Sequence, residues 1–123
     1  MDNESKIFFE IAFETLEDSR FAIEHKRYNL SANRSYSTCF YAAKSLLLLK
    51  NNNPKTHSGT IQQFGLEYVV NGNFNNKIAE YFSELEDYRE NYDYDAYYNA
   101  NEEIAEDILE KTESFVLECE KQL

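Results

Sequence analysis

The chain has 123 residues, of which 42% are hydrophobic and 28% charged, and its formal net charge is −11. This length corresponds to one domain, residues 1–123, which can bury enough surface to fold without a metal or a disulfide. Three glycines and one proline are too few for a turn-rich all-β fold. The acidic balance disfavours binding of duplex DNA, because proteins that neutralise many phosphates are usually basic.

The distribution of apolar and cysteine residues predicts a cytoplasmic protein. The longest apolar run, Leu46 to Leu49, is far shorter than the roughly 20 residues of a membrane span. The first residues, Met1 to Ser5, are acidic and polar, so no signal peptide is expected there. Cys39 and Cys119 lie within helical patterns without metal-ligand spacing, which predicts reduced, buried thiols.

Apolar residues recur every three or four positions along nearly the whole chain, which predicts helices rather than strands. The first helix is expected from about residue 4 to 26, with Phe8, Ala12, Leu16, Ser19 and Ile23 on its stripe and with Phe9 and Phe13 widening it. The second helix, from about 29 to 50, is apolar on most sides. Such a helix either lies centrally or shares its outer face with another chain.

Three further helices are predicted after the second one. Pro54 ends the second helix, since proline disfavours a helical conformation at the preceding residue. A third, short helix begins at a cap, Thr56 or Ser58, and closes near Gly72, which suits a left-handed backbone. A fourth helix carries an aromatic stripe that starts at Phe74, and a fifth follows the cap Asn101. The expected fold is all-α, an up-and-down bundle of five helices.

The sequence lacks the usual signatures of catalytic sites. His25 and His57 have neither the His-x-x-x-His nor the Glu-x-x-His spacing of a metal site, so we predict no metal and no other cofactor. Glycine-rich phosphate loops and nucleophile motifs are also missing. His57-Ser58-Gly59 fits either an anion-binding turn or an ordinary helix cap, and the pattern leaves the role of His57 open.

An unusual cluster of tyrosines accompanies a candidate arginine. Half of the ten tyrosines lie between Tyr88 and Tyr98. Arg89 lies on or beside the apolar stripe of the fourth helix, and Asp93 follows it at the i, i+4 spacing of an ion pair. Arg34 is a second cation close to an apolar face. These residues form either a structural ion-pair network or a cleft that binds the phosphate of a nucleotide or RNA.

Several motifs occur together in the order found in one family. Residues 33–47, N-R-S-Y-S-T-C-F-Y-A-A-K-S-L-L, resemble the S-R-A-Y-Y-A-x-F-H-A-A-R-A-L-L helix of small HEPN-domain proteins. Three more motifs and the chain's ending resemble the same family: Lys26-Arg27-Tyr28, His57-Ser58-Gly59 with Phe64, Arg89-x-x-x-Asp93-Tyr94, and Glu102-Glu103-Ile104-Ala105 with Phe115-Val116.

The resemblance implies a five-helix HEPN-like bundle from a prokaryote, commonly a homodimer. Relatives are linked to RNA cleavage in toxin–antitoxin and defence systems, and often to a separate small nucleotidyltransferase. Members that cleave RNA carry an arginine followed after four to six residues by a histidine. Here Arg89 is present, but Tyr94, Asp95 and Ala96 follow at that distance and no histidine occurs after His57.

We therefore expect a non-catalytic or weakly catalytic partner of a small nucleotidyltransferase that binds nucleotide or RNA. The candidate site comprises Arg34, Tyr41, Arg89, Asp93 and Tyr94. A metal-independent endoribonuclease toxin is one alternative function, and a structural interaction module is the other. A homodimer is also predicted, because the second helix carries more apolar surface than one side of a small bundle can enclose.

A modification site is expected from the same resemblance. In related pairs the nucleotidyltransferase transfers a nucleotide to a tyrosine, and the equivalent position here is Ala96, which cannot accept it. Tyr94 and Tyr97 flank that position. We expect any such modification on one of these two residues.

Overall fold

Five α-helices and one π-helical turn make up the secondary structure of the described chain. The structure, a computed structural model, describes residues 3–94 and 99–123, with the side chains of all of these except 92–94. The elements are α1 (Asn3–Glu24), α2 (Tyr28–Leu49), α3 (His57–Phe64), the π-helical turn (Gly65–Val70), α4 (Asn76–Tyr94) and α5 (Glu102–Lys121). The predicted all-α bundle of five helices with a short third helix is confirmed.

The helix α2 lies at the centre of the bundle, where it packs against α1, α3, α4 and α5. Its largest fully buried side chains are Tyr36, Leu46 and Leu47. Of the two interpretations of this apolar helix, the central position is the correct one. The other helices of the same chain cover most of α2, so its apolar character no longer argues for a second copy.

The α1–α2 interface contains a row of buried hydroxyl groups. The oxygen pairs are Ser5–Ser45 at 3.0 Å, Thr15–Thr38 at 2.9 Å, Ser19–Ser31 at 2.9 Å and Ser19–Ser35 at 2.7 Å. Of the α1 residues in this row, Ser19 lies on the predicted stripe, whereas Ser5 and Thr15 occupy positions that apolar periodicity does not count. Of the two residues predicted to widen the stripe, Phe9 is buried as predicted, whereas Phe13 is 42% exposed. The buried face of α1 therefore extends toward Ser5, Phe9 and Thr15 rather than toward Phe13.

The helix ends follow the predicted capping with one correction. Thr56 and Asn101 cap α3 and α5, since each side chain accepts a hydrogen bond from a backbone N–H three residues later, at 2.9 and 2.8 Å. The reason predicted for Gly72 was wrong, because no glycine of the described chain has a positive φ. A Cβ at Gly72 would lie 2.7 Å from the carbonyl oxygen of Tyr68, so close backbone approach is what favours glycine there.

Four phenylalanines join α3, α4, α5 and the segment before α4. The ring centroid of Phe115, a fully buried residue of α5, lies 5.4 Å from those of Phe64 and Phe82 and 5.5 Å from that of Phe74. Phe74 was predicted on α4 but precedes it. This cluster packs α5 against α3 and α4.

The two cysteines are buried and free of disulfides, as predicted. Burial raises the pKa of the Cys39 thiol to about 12 and also raises that of Cys119, so both stay protonated at neutral pH. Within residues 3–94 and 99–123, no cluster of side chains could hold a metal ion. No described helix is long and apolar enough to cross a membrane.

Candidate functional site

The predicted site residues are distributed over two helices. Arg34 and Tyr41 lie on α2, two helical turns apart, and Arg89 lies on α4. The side chains of Asp93 and Tyr94 lie outside the described residues. The proposed ion pair between Arg89 and Asp93 therefore stays a prediction, and so does a role for Tyr94. Tyr97 also lies outside the described chain.

Arg89 is held by a carboxylate and by an aromatic ring. Its Nη2 lies 2.9 Å from Glu86 Oε1, and both side chains are only 16% exposed. Its guanidinium carbon lies 4.9 Å from the ring centroid of Tyr36. Glu86 was not predicted as a partner, although its spacing of three residues allows an ion pair as readily as a spacing of four.

Tyr36 links this ion pair to His57 at the start of α3. The Tyr36 side chain is buried, and its hydroxyl oxygen lies 2.7 Å from His57 Nδ1. The His57 side chain is exposed, and its ring stacks on Phe40 with centroids 4.4 Å apart. Tyr36 hydrogen-bonds to one nitrogen of the His57 ring, and Phe40 stacks on one face of that ring. The imidazole is thus fixed in position although solvent reaches it.

The charges of this network are set by burial and by hydrogen bonding. Burial, with a contribution from Glu86, raises the pKa of the Tyr36 hydroxyl above its ordinary value, so it stays neutral. Burial also tends to raise the pKa of the Glu86 carboxyl, but the hydrogen-bonding groups of Arg89 and Tyr36 outweigh it and lower that pKa. At neutral pH, Glu86 is therefore ionised beside a charged Arg89.

Arg34 differs from Arg89 in the kind of partner it has. Its Nε and Nη2 donate to the amide oxygen of Asn33, at 3.0 and 2.6 Å. Where the structure describes the chain, no carboxylate forms an ion pair with Arg34. A neutral amide leaves the charge of this half-buried guanidinium uncompensated, so Arg34 is the better suited of the two arginines to bind an anion.

Aromatic rings and a lysine lie beside Tyr41 on α2. The ring centroid of Tyr41 is 6.0 Å from that of Phe8 and 5.6 Å from that of Phe40. Lys44 Nζ lies 5.9 Å from the centroids of both phenylalanines and donates to the carbonyl oxygen of Pro54 at 3.0 Å. Cations and aromatic rings thus alternate along this side of α2, an arrangement suited to nucleotides.

Sequence reasoning missed Glu86, Tyr36 and His57 as members of one network. Tyr36 matched a core position by periodicity, and His57 matched an ordinary helix start. The only signal for His57 was its place in the H-S-G motif of the family resemblance. Together these residues join a fixed imidazole, which can transfer protons, through Tyr36 to an arginine, which can bind phosphate.

Comparison with known proteins identifies relatives of the whole chain. The HEPN domain family model matches residues 5–122. The protein named "Putative toxin MJ0142" from Methanocaldococcus jannaschii is 35% identical over 114 residues, which cover 93% of this chain and 78% of that protein. "Putative toxin MJ0605" from the same organism is 37% identical over 98% of this chain and 89% of its own length. A "UPF0332 protein" from Thermotoga maritima is 30% identical over 89% of this chain and 83% of its own.

A solved structure shares the fold. The crystal structure of TT1696 from Thermus thermophilus superimposes with a TM-score of 0.85 over 99% of this chain and 100% of that one, at 17% sequence identity. At this identity the likeness concerns the fold alone. The family match over nearly the whole chain, together with the relatives above, shows that this chain belongs to the HEPN domain family.

Proposed function

We propose that this chain is the HEPN component of a toxin–antitoxin type pair, with a small nucleotidyltransferase as its partner. In this proposal it binds the phosphate of a nucleotide or RNA and cleaves RNA weakly or not at all. The observation that carries the binding function is Arg34, a half-buried cation whose described hydrogen-bond acceptor is the neutral amide of Asn33. Two relatives with the word toxin in their names support the toxin–antitoxin context.

The contacts of Arg89 argue against it as the first phosphate contact. Its Nε and Nη2 both point to the carboxylate of Glu86, at 3.4 and 2.9 Å. A phosphate approaching that edge would meet the like charge of Glu86. A phosphate that binds Arg34 does not meet a carboxylate paired with that arginine in the described residues.

One observation favours the endoribonuclease as a second candidate function. The exposed imidazole of His57 is fixed by Tyr36 in the same network as Arg89. An imidazole beside a bound phosphate can take and return the protons of an RNA cleavage, so His57 offers the chemistry that the motif position after Arg89 lacks. Cleavage that depends on His57 would establish this function.

Replacing Arg34 is expected to weaken RNA binding at least about fivefold, which corresponds to the loss of one charge-assisted contact. Fluorescence anisotropy with a labelled single-stranded RNA of about eight nucleotides measures the affinity of Arg34→Gln. Arg20→Gln is the matched control, since Arg20 already pairs with Glu17 and Glu113. Equal RNA affinities of the two variants would show that Arg34 does not contribute to RNA binding.

Co-expression with a small nucleotidyltransferase of the same organism tests the partner. We expect the two proteins to elute together from a sizing column. In the modification step the phenolic oxygen of Tyr94 or Tyr97 bonds to the α-phosphorus of a nucleoside triphosphate, pyrophosphate leaves, and the phenolic proton passes to solvent. The intact mass then rises by one nucleotidyl group. This increase is lost in whichever of the variants Tyr94→Phe and Tyr97→Phe lacks the modified tyrosine. An unchanged mass without co-elution would contradict the partnership.

A homodimer is part of the proposal, but α1 rather than α2 provides its apolar surface. Ile7, Phe13 and Phe21 on the outside of α1 are 53%, 42% and 61% exposed. Large apolar side chains exposed along one helix are available to a second copy of the chain. Light scattering at micromolar concentration is expected to give about twice 14.5 kDa, and Phe21→Ser to shift the mass toward the monomer. A wild-type mass of 14.5 kDa would contradict the dimer.

A further inference from the structure

Half of the twelve lysines and arginines of this acidic protein lie in one stretch of sequence that contains no acidic residue. From His25 to Leu66 the chain contains four lysines and two arginines but no aspartate or glutamate. All 23 acidic residues lie outside this stretch. The stretch includes the whole of α2 and α3.

Within that stretch, Arg27, which directly precedes α2, and the cations of α2 itself lie along a single edge of the helix. Residues 27, 30, 34, 37, 41 and 44 alternate in spacing between three and four, which places them on one side of an α-helix. All six are exposed or half-buried, whereas the intervening core positions are buried. We call this surface the α2 edge, and its residues are Arg27, Leu30, Arg34, Ser37, Tyr41 and Lys44.

The cations of the α2 edge lack carboxylate partners in the described part of the molecule. Arg34 donates to an amide oxygen and Lys44 to a backbone carbonyl, and neither they nor Arg27 form an ion pair there. By contrast, Arg20 and Lys111 each contact two carboxylates. The α2 edge therefore carries three positive charges available to an external anion.

The two ends of the α2 edge differ in shape. At the Lys44 end, the rings of Tyr41, Phe40 and Phe8 lie beside the lysine and next to the exposed ring of His57. At the other end, a cleft of about 530 Å³ is lined by residues 25–30, Asn99 and Ala100. The distance between the ends, from Arg27 to Lys44, is about 25 Å at the rise of an α-helix.

We propose that the α2 edge binds single-stranded RNA lengthwise, with phosphates on Arg27, Arg34 and Lys44 and bases against the rings near Tyr41. A strand of about seven stacked nucleotides, or fewer extended ones, spans this length. The inference rests on the proposed function, which itself requires only the phosphate contact at Arg34. It adds that the RNA is single-stranded, that the strand lies along the length of α2, and that Arg27 and Lys44 also contact it.

The surface favours a single strand over the other polyanions. The half-buried rings of Phe8, Phe40 and Tyr41 lie beside cations and can stack with unpaired bases, which a duplex keeps inside its helix. An acidic peptide would satisfy the cations but leave the aromatic rings without stacking partners.

Anisotropy at low salt tests this binding surface in the wild-type chain and in glutamine variants, which keep most of the side-chain stem. We expect an RNA of about eight nucleotides to bind at least about tenfold more tightly than a mononucleotide, a matched duplex or an oligoglutamate peptide. Arg27→Gln and Lys44→Gln should each weaken binding by about threefold or more. The controls Arg20→Gln and Lys111→Gln should bind as the wild type does, and circular dichroism confirms that each variant is folded.

Salt dependence provides a second measurement of the same surface. Three phosphate contacts predict a slope of about −2 for the logarithm of the affinity against the logarithm of salt concentration. Each single variant should reduce that slope by about 0.7. A slope near zero would mean that the phosphates are not held by these cations.

The outcomes separate this inference from the function on which it rests. If Arg34→Gln weakens binding while Arg27→Gln and Lys44→Gln do not, the lengthwise site is wrong and the phosphate site at Arg34 stands. If Arg34→Gln also binds as the wild type does, the proposed binding function is wrong as well. A mononucleotide, duplex or peptide that binds as tightly as the single strand would overturn the assigned substrate class.

Discussion

Replacing Phe115 by alanine is expected to lower the free energy of unfolding by about 3–5 kcal/mol. Phe115 is fully buried, and its ring contacts those of Phe64, Phe74 and Phe82 from α3, α4 and the segment between them. Alanine removes these contacts and leaves a cavity that three neighbouring rings cannot fill without leaving their own positions. Domains of this size are stable by only about 5–15 kcal/mol, so a large fraction of the stability would be lost.

The matched control lies two residues further along the same helix. Leu117 is 61% exposed, so Leu117→Ala should change the free energy of unfolding by less than about 0.5 kcal/mol. Urea unfolding followed by circular dichroism compares the two variants. Similar losses in both would mean that the aromatic cluster does not hold α5 against the bundle.

Replacing Glu86 by glutamine is expected to lower the free energy of unfolding by about 1–3 kcal/mol at pH 7, because the charge opposite the half-buried Arg89 is lost. The pKa of Glu86 is lowered in the folded chain, so its contribution is present above the ordinary pKa of 4.5. That contribution disappears as the pH falls through the lowered folded pKa. The stability gap between wild type and Glu86→Gln should therefore narrow below about pH 4.5.

Glu84→Gln serves as the control for this carboxylate. Glu84 lies 3.0 Å from Lys111, but its side chain is 45% exposed, and exposed pairs contribute about 0–1 kcal/mol. Urea midpoints at several pH values compare both variants with the wild type. A gap for Glu86→Gln that does not change with pH would show that the charge of Glu86 does not stabilise the fold.

Much of the fold could be predicted from the spacing of apolar residues. The two longest helices were placed within two residues of their ends, because the helical spacing of their apolar residues and the break at Pro54 are strong local signals. The buried face of α1 could not be placed as well. Its core positions include Ser5 and Thr15, whose partners on α2 satisfy them only in the folded chain.

The candidate site could be predicted only in part. Arg34 and Arg89 were identified from their positions beside the apolar faces of two predicted helices, and Tyr41 lies on the same helix as Arg34. The partner of Arg89 was ambiguous, because carboxylates occur both three residues before it and four residues after it. The contact of His57 with Tyr36 joins residues that are 21 positions apart, and helical periodicity carries no information on such a tertiary contact.

The charge pattern shows how the two kinds of information combine. The sequence contains a long stretch without acidic residues, but three of its cations could have served as partners for carboxylates elsewhere in the fold. The structure shows Arg27, Arg34 and Lys44 on one edge of α2 without such partners in the described residues. The composition alone shows an excess of cations in this stretch. The placement of the three side chains supports their binding to an external polyanion.

The central claim, that this HEPN protein binds RNA with little or no cleavage, is tested most directly by one incubation. End-labelled single-stranded RNA and transfer RNA are mixed with the protein, with and without EDTA, and the samples are divided between a native gel and a denaturing gel. We predict a shifted band on the native gel and intact RNA on the denaturing gel. Cleavage that persists in EDTA and is lost in both Arg89→Ala and His57→Gln would contradict the account and identify the chain as a metal-independent ribonuclease.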